Sequence, residues 1–408
     1  MKKFIKYTVL PLIIFLSIFI LSTSKKENLK EDKKENVITS TVKKQIAHQI
    51  KKYPAKQTKK VSQQLDSLLQ RINKRHDFHG SLLIAKDGKI LYEKQIGYAD
   101  FRKKDSLNAS SIFQLASVSK QFTAAAIMLL YERNKIKLTD TVNRFFPDFP
   151  YKNVTITNLL NHTAGLPKYF WVAEHKWKQE KAPTNNEMMN LLQTSNVQRF
   201  FKPGRNFDYS NTGYFVLASI VEKVSEMSFS TFVKKNIFEP LGMKDSYIFS
   251  YGVDIAKGNQ LDGYRLYRGW RHLKINNTIN DAIVGDKNVY STSRDLYKWI
   301  LALNSGELLS KESLKLMYSY GKTMYGRKVP YGFGFRIDKD DKNMIYHHGK
   351  WNGFRTGVTQ YLNDNLAIII LEHTSYNGIS SLTKKVKKIV EENFVKDNLQ
   401  FAENLTYN

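Results

Sequence analysis

Ser117 and Lys120 are the residues whose types and spacing most directly suggest catalysis. Three positions apart on a helix, their side chains share one face, so the lysine amine lies near the serine hydroxyl. Burial or neighbouring cations lower the pKa of a lysine, and such a lysine can take the proton of an attacking serine. The start of the helix also directs a backbone N–H toward a developing oxyanion. The pair therefore predicts a serine nucleophile with its own base.

The Ser-x-x-Lys pattern has little weight by itself, because it is common in this chain. It occurs five times, beginning at Ser22, Ser40, Ser117, Ser319 and Ser381. The copy at Ser117 differs from the others in its surroundings. A predicted strand pair precedes it, and the apolar run from Phe122 to Leu130 predicts a buried helix directly after it. This copy is therefore the candidate site.

The composition predicts a folded protein without disulfides. The chain has 408 residues, of which 42% are hydrophobic, and this suffices for one large domain or two entwined ones. The absence of cysteine from the sequence excludes disulfides, thiolate catalysis and cysteine metal ligands. It also excludes a lipoprotein anchor attached through cysteine.

The formal charge of +27 has two interpretations. One is an anionic partner such as lipid headgroups, an acidic cell-wall polymer or nucleic acid. The other is a lysine-rich composition without a dedicated partner, which is favoured because the lysines are spread along the chain. Phosphate recognition would predict clustered arginines. No nucleic-acid-binding motif accompanies the charge, so a nucleic-acid partner is not expected.

The N-terminal part has the pattern of an export signal followed by a spacer. Basic residues precede an uncharged, mostly apolar run from Tyr7 to Ser24, so residues 1–24 are predicted to be a signal peptide or N-terminal membrane anchor. Residues 25–58 are rich in Lys and Glu and predict a disordered linker. The sequence therefore predicts an exported protein of the cell envelope, either secreted or attached to the membrane through this segment.

Strand patterns at both ends of the remaining chain predict an α+β fold. Residues 81–85 and 90–92 read as strands joined by an Asp87-Gly88 turn, and from Tyr331 onward the apolar period changes to two. The predicted domain spans residues 59–395, with a mainly helical insertion at about 125–285, and residues 396–408 form a tail. An antiparallel sheet flanked by helices, with an inserted helical domain, follows from this order.

Several motifs occur in the order found in one known superfamily. They are Ser117-Val118-Ser119-Lys120, residues 159–167 (LLNHTAGLP), Pro203-Gly204, Tyr209-Ser210-Asn211, residues 239–243 (EPLGM), Tyr290-Ser291-Thr292, His347-His348-Gly349 and Gly353-Phe354. In this order the chain resembles the serine β-lactamase and penicillin-binding-protein superfamily, in its class C-like branch. Each motif alone is weak evidence for the superfamily, but the ordered set is specific for it. The resemblance covers roughly residues 62–395.

The resemblance implies a role for each matching residue. Ser117 would be the acylated nucleophile, and Lys120 would be its general base or the group that tunes its reactivity. Tyr209 would carry a second proton near the leaving group, provided that nearby cations lower its pKa. Asn211 would hold the acyl-side amide of the substrate. The backbone N–H groups of Ser117 and Lys350 would form the oxyanion hole. Lys350 follows His347-His348-Gly349, the third motif, in which Gly349 would leave room for a substrate backbone.

The third motif departs from the pattern of the β-lactamases in the superfamily, which place Lys-Thr/Ser-Gly there. His347-His348-Gly349 lacks their permanent cation, since histidine is largely neutral at pH 7. The rival assignment Arg355-Thr356-Gly357 falls beyond the predicted site, although Arg355 could still reach a carboxylate. The departure lowers the expectation of efficient β-lactam hydrolysis. It favours esterase or D-amino-acid amidase or peptidase activity, for which a His-x-Gly motif is common in this branch.

The sequence therefore predicts a serine hydrolase that acts through an acyl-enzyme on a small-molecule or peptidoglycan-like ester or amide. Two alternatives stay open: a class C-type β-lactamase or D,D-carboxypeptidase, and a catalytically inactive envelope-binding protein. No cofactor is implied. A metal site is not expected, because His-Glu-x-x-His is absent from the sequence and adjacent His347 and His348 point to opposite faces of a strand. The sequence does not indicate an oligomeric state.

Overall fold

A computed structural model describes residues 53–394 of the chain. The predicted segment 1–24, all but the last residues of the predicted linker 25–58, and the predicted tail 396–408 lie outside the described residues. The first helix begins at Ala55, so the folded part starts four positions before the predicted boundary at residue 59. Within the described part of the chain, no helix combines the length and the hydropathy needed to cross a bilayer.

The helices, numbered in chain order, are mostly short. They are α1 (Ala55–His76), α2 (Lys120–Glu132), α3 (Val142–Phe145), α4 (Ile156–Leu160), α5 (Tyr169–Lys176), α6 (Asn185–Thr194), α7 (Asn211–Ser225), α8 (Phe229–Val233), α9 (Ser293–Ser305), α10 (Lys311–Met317) and α11 (Ile379–Phe394). Short 3₁₀ helices span Ala116–Ser119 and Ile279–Asp281, and a π-helical turn spans Lys234–Phe238.

The longer strands lie near the two ends of the described chain, and short strands also occur between residues 247 and 291. They are β1 (Gly80–Lys86), β2 (Lys89–Ile96), β3 (Tyr98–Asp100), β4 (Asp105–Ser106), β5 (Phe113–Gln114), β6 (Tyr247–Ile248), β7 (Tyr264–Tyr267), β8 (Arg271–Lys274), β9 (Val289–Ser291), β10 (Gly321–Lys322), β11 (Lys328–Val329), β12 (Arg336–Ile337), β13 (Met344–Trp351), β14 (Phe354–Tyr361) and β15 (Leu366–Glu372).

The main sheet joins the two ends of the described chain. It has six strands in the order β12-β13-β14-β15-β1-β2, and β15 pairs antiparallel with β1 from Gly80–Glu372 to Lys86–Leu366. Alternate side chains of β1 and β15 face opposite sides of the sheet. Leu82 and Ile370 lie in a core with α1 and α11, whereas Leu83 and Ile369 lie in the larger core with the remaining helices. Both faces of the sheet are thus covered, as the α+β prediction requires.

The central part of the chain is mainly helical and carries α2 to α8. Helix α2 is buried over nearly its whole length, in agreement with the apolar run after Lys120. Its partners include α7, whose Tyr214 and Phe215 are fully buried. The small sheet β5-β9-β6 lies at the entry to the 3₁₀ helix that carries Ser117. The fold thereby brings segments separated by more than 200 residues to one place.

One predicted strand is much shorter than expected. The alternation across residues 332–337 predicts a strand, but only Arg336–Ile337 pairs with β13. The reason is a turn: Gly334 has φ +81°, and the N–H of Gly332 bonds to the carbonyl of Phe335 at 2.9 Å. Because β12 pairs only with Ile345 and Tyr346, no described strand covers that edge of β13 from His347 onward.

Candidate active site

Ser117 lies on a tight turn between β5 and α2. The turn is the 3₁₀ helix Ala116–Ser119, and Ala116 enters it with φ +49°, a left-handed conformation that costs free energy for a residue with a Cβ atom. Residues held in such conformations cluster at functional sites, because the surrounding structure must compensate for the strain. Ser117 itself is partly exposed, whereas Val118 and Ser119 are buried.

Strand β9 holds the turn from one side. The N–H of Leu115 bonds to the carbonyl of Val289 at 2.8 Å, and the N–H of Val289 bonds to the Ser119 hydroxyl at 3.0 Å. Ser119, the second serine of the motif, is therefore tied to β9. Its hydroxyl positions the backbone and leaves Ser117 as the serine that faces the site.

Strands β13 and β14 hold the turn from the other side. The Thr356 hydroxyl donates to the carbonyl of Leu115 at 2.7 Å. A Cβ atom at Gly349 would lie 2.3 Å from the same carbonyl and 2.2 Å from the Thr356 hydroxyl. Gly349 is therefore required for the close approach between the sheet and the turn that carries Ser117, which we call the nucleophile turn. The sequence predicted that this glycine leaves room for a substrate backbone. In the structure, the Leu115 carbonyl and the Ala116 side chain occupy the space beside it.

Lys120 is completely buried and donates to three acceptors. Its Nζ atom lies 3.2 Å from the Ser117 hydroxyl, 2.7 Å from Asn211 Oδ1 and 2.9 Å from the backbone carbonyl of Asp286. The rings of Tyr209 and Tyr214 lie 5.0 and 5.5 Å from the same nitrogen. The three acceptors account for the three N–H groups of the charged amine.

Burial lowers the pKa of Lys120 to about 7, opposed by the nearby Asp286 carboxylate and assisted by Arg336. A neutral amine has two N–H groups and one lone pair. The two shorter bonds, to Asn211 and Asp286, keep both N–H groups, so the lone pair faces the Ser117 hydroxyl. The geometry thus suits both protonation states, and the neutral one can accept the serine proton.

Tyr209 reaches the site from the loop before α7, and His162 fixes that loop. The N–H of Ser210 donates to His162 Nδ1 at 3.1 Å, and the N–H of Asp208 bonds to the His162 carbonyl at 3.0 Å. The imidazole also packs against the Tyr209 ring at 4.4 Å. Its burial and the cation of Lys120 hold the pKa of His162 well below the ordinary value, so it is neutral. His162 therefore acts as a loop anchor in this arrangement.

The Tyr209 hydroxyl interacts with Ser117 but is otherwise isolated. It is buried and lacks a hydrogen bond of normal geometry to any residue between 53 and 394. Burial raises the pKa of Tyr209, although Ser117 and the Arg336 cation act in the opposite direction. The second-proton role expected for Tyr209 from the sequence required nearby cations to lower its pKa, and the burial of the phenol outweighs them. The Tyr209 hydroxyl is therefore protonated at pH 7.

Asn211, the first residue of α7, offers the two ends of its amide to different partners. Its Oδ1 accepts from Lys120, which fixes the orientation of the side chain. The Nδ2 group, which has no acceptor among residues 53–394, can then donate to a carbonyl group of a bound molecule. Asn211 is only partly buried, so a substrate group could reach this donor.

His347 lies in the site but carries no charge. Its Nδ1 donates to the carbonyl of His348 at 2.9 Å, and its Nε2 then accepts from the Tyr331 hydroxyl at 2.9 Å. Burial, with the nearby Lys120 and Arg336 cations, holds the pKa of His347 well below its usual value. His348 lies on the other face of β13, beside Tyr346 and Gly357. The Lys350 side chain is exposed, two positions along the strand from His348.

Two charged residues near Lys120 were not predicted from the sequence as site residues. Arg336 lies on β12 with its guanidinium carbon 5.0 Å from the centre of the Tyr209 ring. The fully buried Asp286 carboxylate accepts from the Tyr169 hydroxyl at 3.2 Å and pairs with Lys287 at 3.2 Å. No sequence motif identifies either residue, because each depends on its position in the folded structure. Pairing with β13 positions Arg336, and Gly285 at φ +114° admits Asp286 beside α7.

Arg355, the alternative carboxylate partner considered from the sequence, has other partners. Its Nε atom donates to Asn377 at 3.2 Å and its guanidinium donates to the carbonyl of Phe354 at 3.0 Å. The fixed cation beside the catalytic tyrosine candidate is therefore Arg336 rather than Arg355.

A set of possible metal ligands occurs elsewhere, formed by Asp77, His79 and His272. Their ligand atoms lie within 4.8 Å of one another. However, the N–H of Tyr98 donates to His79 Nδ1 at 3.0 Å, so Nε2 carries the proton and donates to Asp77 at 2.9 Å. Metal binding through that Nε2 would reverse the tautomer and place two N–H groups against each other. The cluster is better explained as a set of hydrogen bonds that joins the β7–β8 hairpin to the residues between α1 and β1.

The arrangement matches one family of known proteins. The sequence profile described as Beta-lactamase matches residues 65–385 of this chain. The chain belongs to the beta-lactamase family. Penicillin-binding protein 4* of Bacillus subtilis (strain 168) is 34% identical over 322 residues, which cover 76% of this chain and 71% of that protein.

Solved structures of other proteins have the same fold. A penicillin-binding protein from Bacillus halodurans superposes with a TM-score of 0.68 at 25% identity, covering 79% of this chain and 98% of that one. The D-amino acid amidase from Ochrobactrum anthropi SV3 has a TM-score of 0.67 at 21% identity, covering 83% and 99%, a likeness of fold alone. The predicted superfamily and the α+β fold are thus confirmed, and the protein is a serine hydrolase of this family.

Two threonines of β14 provide a matched test of how the nucleophile turn is held. Thr356→Val removes the hydroxyl that bonds to Leu115 and places a methyl group near that carbonyl. We expect a loss of about 0.5–1.5 kcal/mol or more in the free energy of unfolding, and slower modification of Ser117. Thr359 is equally buried, but its hydroxyl lacks a partner among residues 53–394. Thr359→Val should be neutral or slightly stabilising.

Urea unfolding of both variants, with the rate of labelling by a serine-reactive probe, measures the difference. Equal losses of stability in Thr356→Val and Thr359→Val, with unchanged labelling, would mean that the Thr356 hydroxyl does not position the turn.

Proposed function

We propose that this serine hydrolase is exported to the cell envelope and forms an acyl-enzyme at Ser117 with ester or amide substrates, including small esters and D-amino-acid peptides. The observation that carries the proposal is the buried Lys120 amine, which lies between the Ser117 hydroxyl, Asn211 and the Asp286 carbonyl. Export rests on the sequence pattern of residues 1–24.

In the acylation step, neutral Lys120 takes the Ser117 proton as the serine oxygen attacks the substrate carbonyl. The bond that forms joins Ser117 Oγ to the acyl carbon, and the carbonyl oxygen becomes an oxyanion. The backbone N–H groups of Ser117 and Lys350 are the proposed donors to that oxyanion. Collapse of the intermediate breaks the bond to the leaving group, and water later hydrolyses the acyl-serine by the reverse sequence.

The leaving group needs a proton, and Tyr209 is the proposed donor. Its hydroxyl interacts with Ser117, and burial keeps it protonated. We propose that the proton taken by Lys120 later restores the one that Tyr209 donates; the Lys120 amine lies 5.0 Å from the centre of the Tyr209 ring. Asn211 is proposed to donate its Nδ2–H to the acyl-side amide of the substrate. An extended substrate would lie along the edge of β13 from His347 onward, which β12 leaves unpaired.

Charge in the cleft bears on the choice of substrate. Neutral His347 supplies no cation, whereas Arg336 is a permanent one beside Tyr209, on the side proposed for the leaving group. Arginine suits a carboxylate, because its donors match the two oxygens. A substrate whose leaving group carries a carboxylate, such as a peptide ending in a D-amino acid, fits this charge.

A second candidate activity is recognition of β-lactams, as a β-lactamase or D,D-carboxypeptidase. It is favoured by the 34% identity to a protein named penicillin-binding protein 4*. The Arg336 cation would also meet the carboxylate of a penicillin. The third motif, with neutral His347 in place of lysine, argues for weaker β-lactam turnover.

Two covalent probes test the proposed nucleophile and separate the candidate activities. A fluorophosphonate should label the wild-type protein on one serine, and Ser117→Ala should abolish this labelling. Labelling by a fluorescent penicillin as well would favour the second candidate. Ser319→Ala is the matched control, because Ser319 belongs to another Ser-x-x-Lys copy and lies exposed on the surface. It should leave labelling unchanged.

Labelling of the wild type by neither probe would refute both hydrolase mechanisms at this site and favour a binding protein. Labelling that persists in Ser117→Ala would show that the nucleophile is a different residue.

The role of Arg336 is tested with a pair of ester substrates that differ only in a leaving-group carboxylate or its neutral amide. A hydrogen-bonded charge pair contributes about 1.5–3 kcal/mol, so Arg336→Gln should lower kcat/KM for the carboxylate substrate by about 10- to 100-fold. The neutral substrate should change far less, and Arg336→Lys should keep part of the discrimination. An equal decrease for both substrates would exclude a direct contact between Arg336 and the carboxylate.

A further inference from the structure

The β7–β8 hairpin projects an unusual group of side chains into solvent. Trp270 at its tip is 73% exposed, and Leu266 and Tyr267 are 40% and 39% exposed. Arg268 and Gly269, at φ +52° and +77°, make the tight turn that presents Trp270. Exposed large apolar groups gathered on one projecting element indicate an interaction surface.

Arginines alternate with these apolar groups along the hairpin. Arg265, Arg268 and Arg271 are exposed. Within residues 53–394, the ion pairs of the hairpin are those of His272 with Asp77 and of Lys274 with Asp262, so the three arginines have no carboxylate partner. Arg265 and Arg268 lie over the Tyr267 ring, at 5.8 and 5.3 Å from its centre. The surface therefore combines uncompensated positive charge with aromatic groups.

A neighbouring turn adds more positive charge to the same region. The Phe101 ring stacks on His272 of the hairpin at 3.6 Å, and the exposed Arg102, Lys103 and Lys104 follow it. The Asp100 carboxylate caps this turn by accepting from the N–H groups of Arg102 and Lys103. Asp105, which ends the turn, carries an exposed carboxylate, whereas Asp100 is half-buried. Cations outnumber carboxylates on this turn, as they do on the hairpin.

The base of the hairpin is fixed beside the candidate active site. A Cβ atom at Gly263 would lie 1.7 Å from the carbonyl of Asn352, in the turn that follows β13. The N–H of Tyr264 bonds to the carbonyl of His373 at 2.7 Å. The His272–Asp77 pair fastens the hairpin to the end of α1 as well. The exposed tip is thus rigidly connected to the strand that carries His347 and Gly349.

We propose that the hairpin, with residues 102–104 beside it, docks on the surface of a bilayer that contains anionic phospholipids. Tryptophan and tyrosine favour the headgroup region, where one end of the ring is apolar and the other is hydrated. Arginines at that depth are attracted to anionic headgroups. A soluble polyanion would account for the arginines, but it gives no reason for the exposure of Trp270 and Leu266. Docking would hold the adjacent cleft close to the membrane surface.

The absence of cysteine from the sequence allows a local test on the full chain. An environment-sensitive fluorophore on Leu266→Cys should shift to the blue with vesicles of phosphatidylcholine and phosphatidylglycerol, and not with phosphatidylcholine alone. High salt should reverse the shift. The same label on Lys235→Cys, an exposed position of the π-helical turn, should not respond. Because the label reports only its own surroundings, vesicle binding through another segment leaves it unchanged.

Charge variants give the expected size of the effect. At about 1 kcal/mol for each arginine near the surface, Arg268→Gln with Arg271→Gln should weaken vesicle binding of the labelled hairpin by roughly 30-fold. The matched double variant Lys235→Gln with Lys244→Gln removes the same charge elsewhere and should leave binding close to the wild type. Trp270→Ala should weaken binding without altering turnover of a soluble ester, which verifies that the variant is folded.

Two results would overturn the proposal. One is a Leu266→Cys label that stays unchanged on anionic vesicles, or that responds no more than the label at position 235. The other is an equal response of this label to a single-stranded oligonucleotide in the absence of lipid, which would identify a soluble polyanion as the partner. Neither result bears on Ser117, so this proposal and the proposed activity fail independently.

Discussion

The buried amine of Lys120 is the constraint on which the rest of the site depends. A charged amine removed from water costs several kcal/mol unless its N–H groups find acceptors. The chain meets this requirement with three acceptors: Ser117 on the preceding turn, and Asn211 and the Asp286 carbonyl from distant segments. The same burial lowers the pKa of Lys120 to about 7, which makes the amine an available base at neutral pH. The burial of Lys120 therefore explains both its three hydrogen bonds and its lowered pKa.

The groups around Lys120 divide into two charged neighbours and several neutral ones. Arg336 and the Asp286 carboxylate act on the pKa of Lys120 in opposite directions. His162 and His347 are kept neutral by burial and by the nearby cations. Tyr209 keeps its proton, because burial raises its pKa. The pKa of Lys120 is therefore set first by burial and then by two opposing charges.

Much of the fold could be predicted from the sequence, because its signals are local. The Asp87-Gly88 hairpin, the strands from Met344 to Glu372 and the buried helix after Lys120 follow from turn residues and apolar periodicity, and each is present. The strand predicted across residues 332–337 was wrong in its first part, because a turn at Gly334 ends the pairing. Apolar alternation indicates that a segment can be a strand, but not where its pairing ends.

The site was harder to predict than the fold, because several of its contacts depend on tertiary position. Arg336 and Asp286 match no motif, and Thr356 entered only through the rejected assignment Arg355-Thr356-Gly357. Each acts by being close to Lys120 or Leu115 after the sheet has closed. The role of Tyr209 was predicted from the sequence only under a condition, a pKa lowered by cations, and the burial that raises this pKa is evident only in the structure. Gly349 was recognised as a site where space is needed, but its occupant, the Leu115 carbonyl, became evident only in the structure.

The central claim, a buried Lys120 that loses its proton near neutral pH, is tested most directly by NMR titration of the protein labelled with ¹³C at lysine Cε. The Lys120 signal, assigned by its absence from Lys120→Arg, should titrate with a pKa of about 7. Because the neutral form is the base, the rate of Ser117 acylation should rise with pH through the same value. A Lys120 signal that titrates near the ordinary lysine value of about 10.4 would contradict the account.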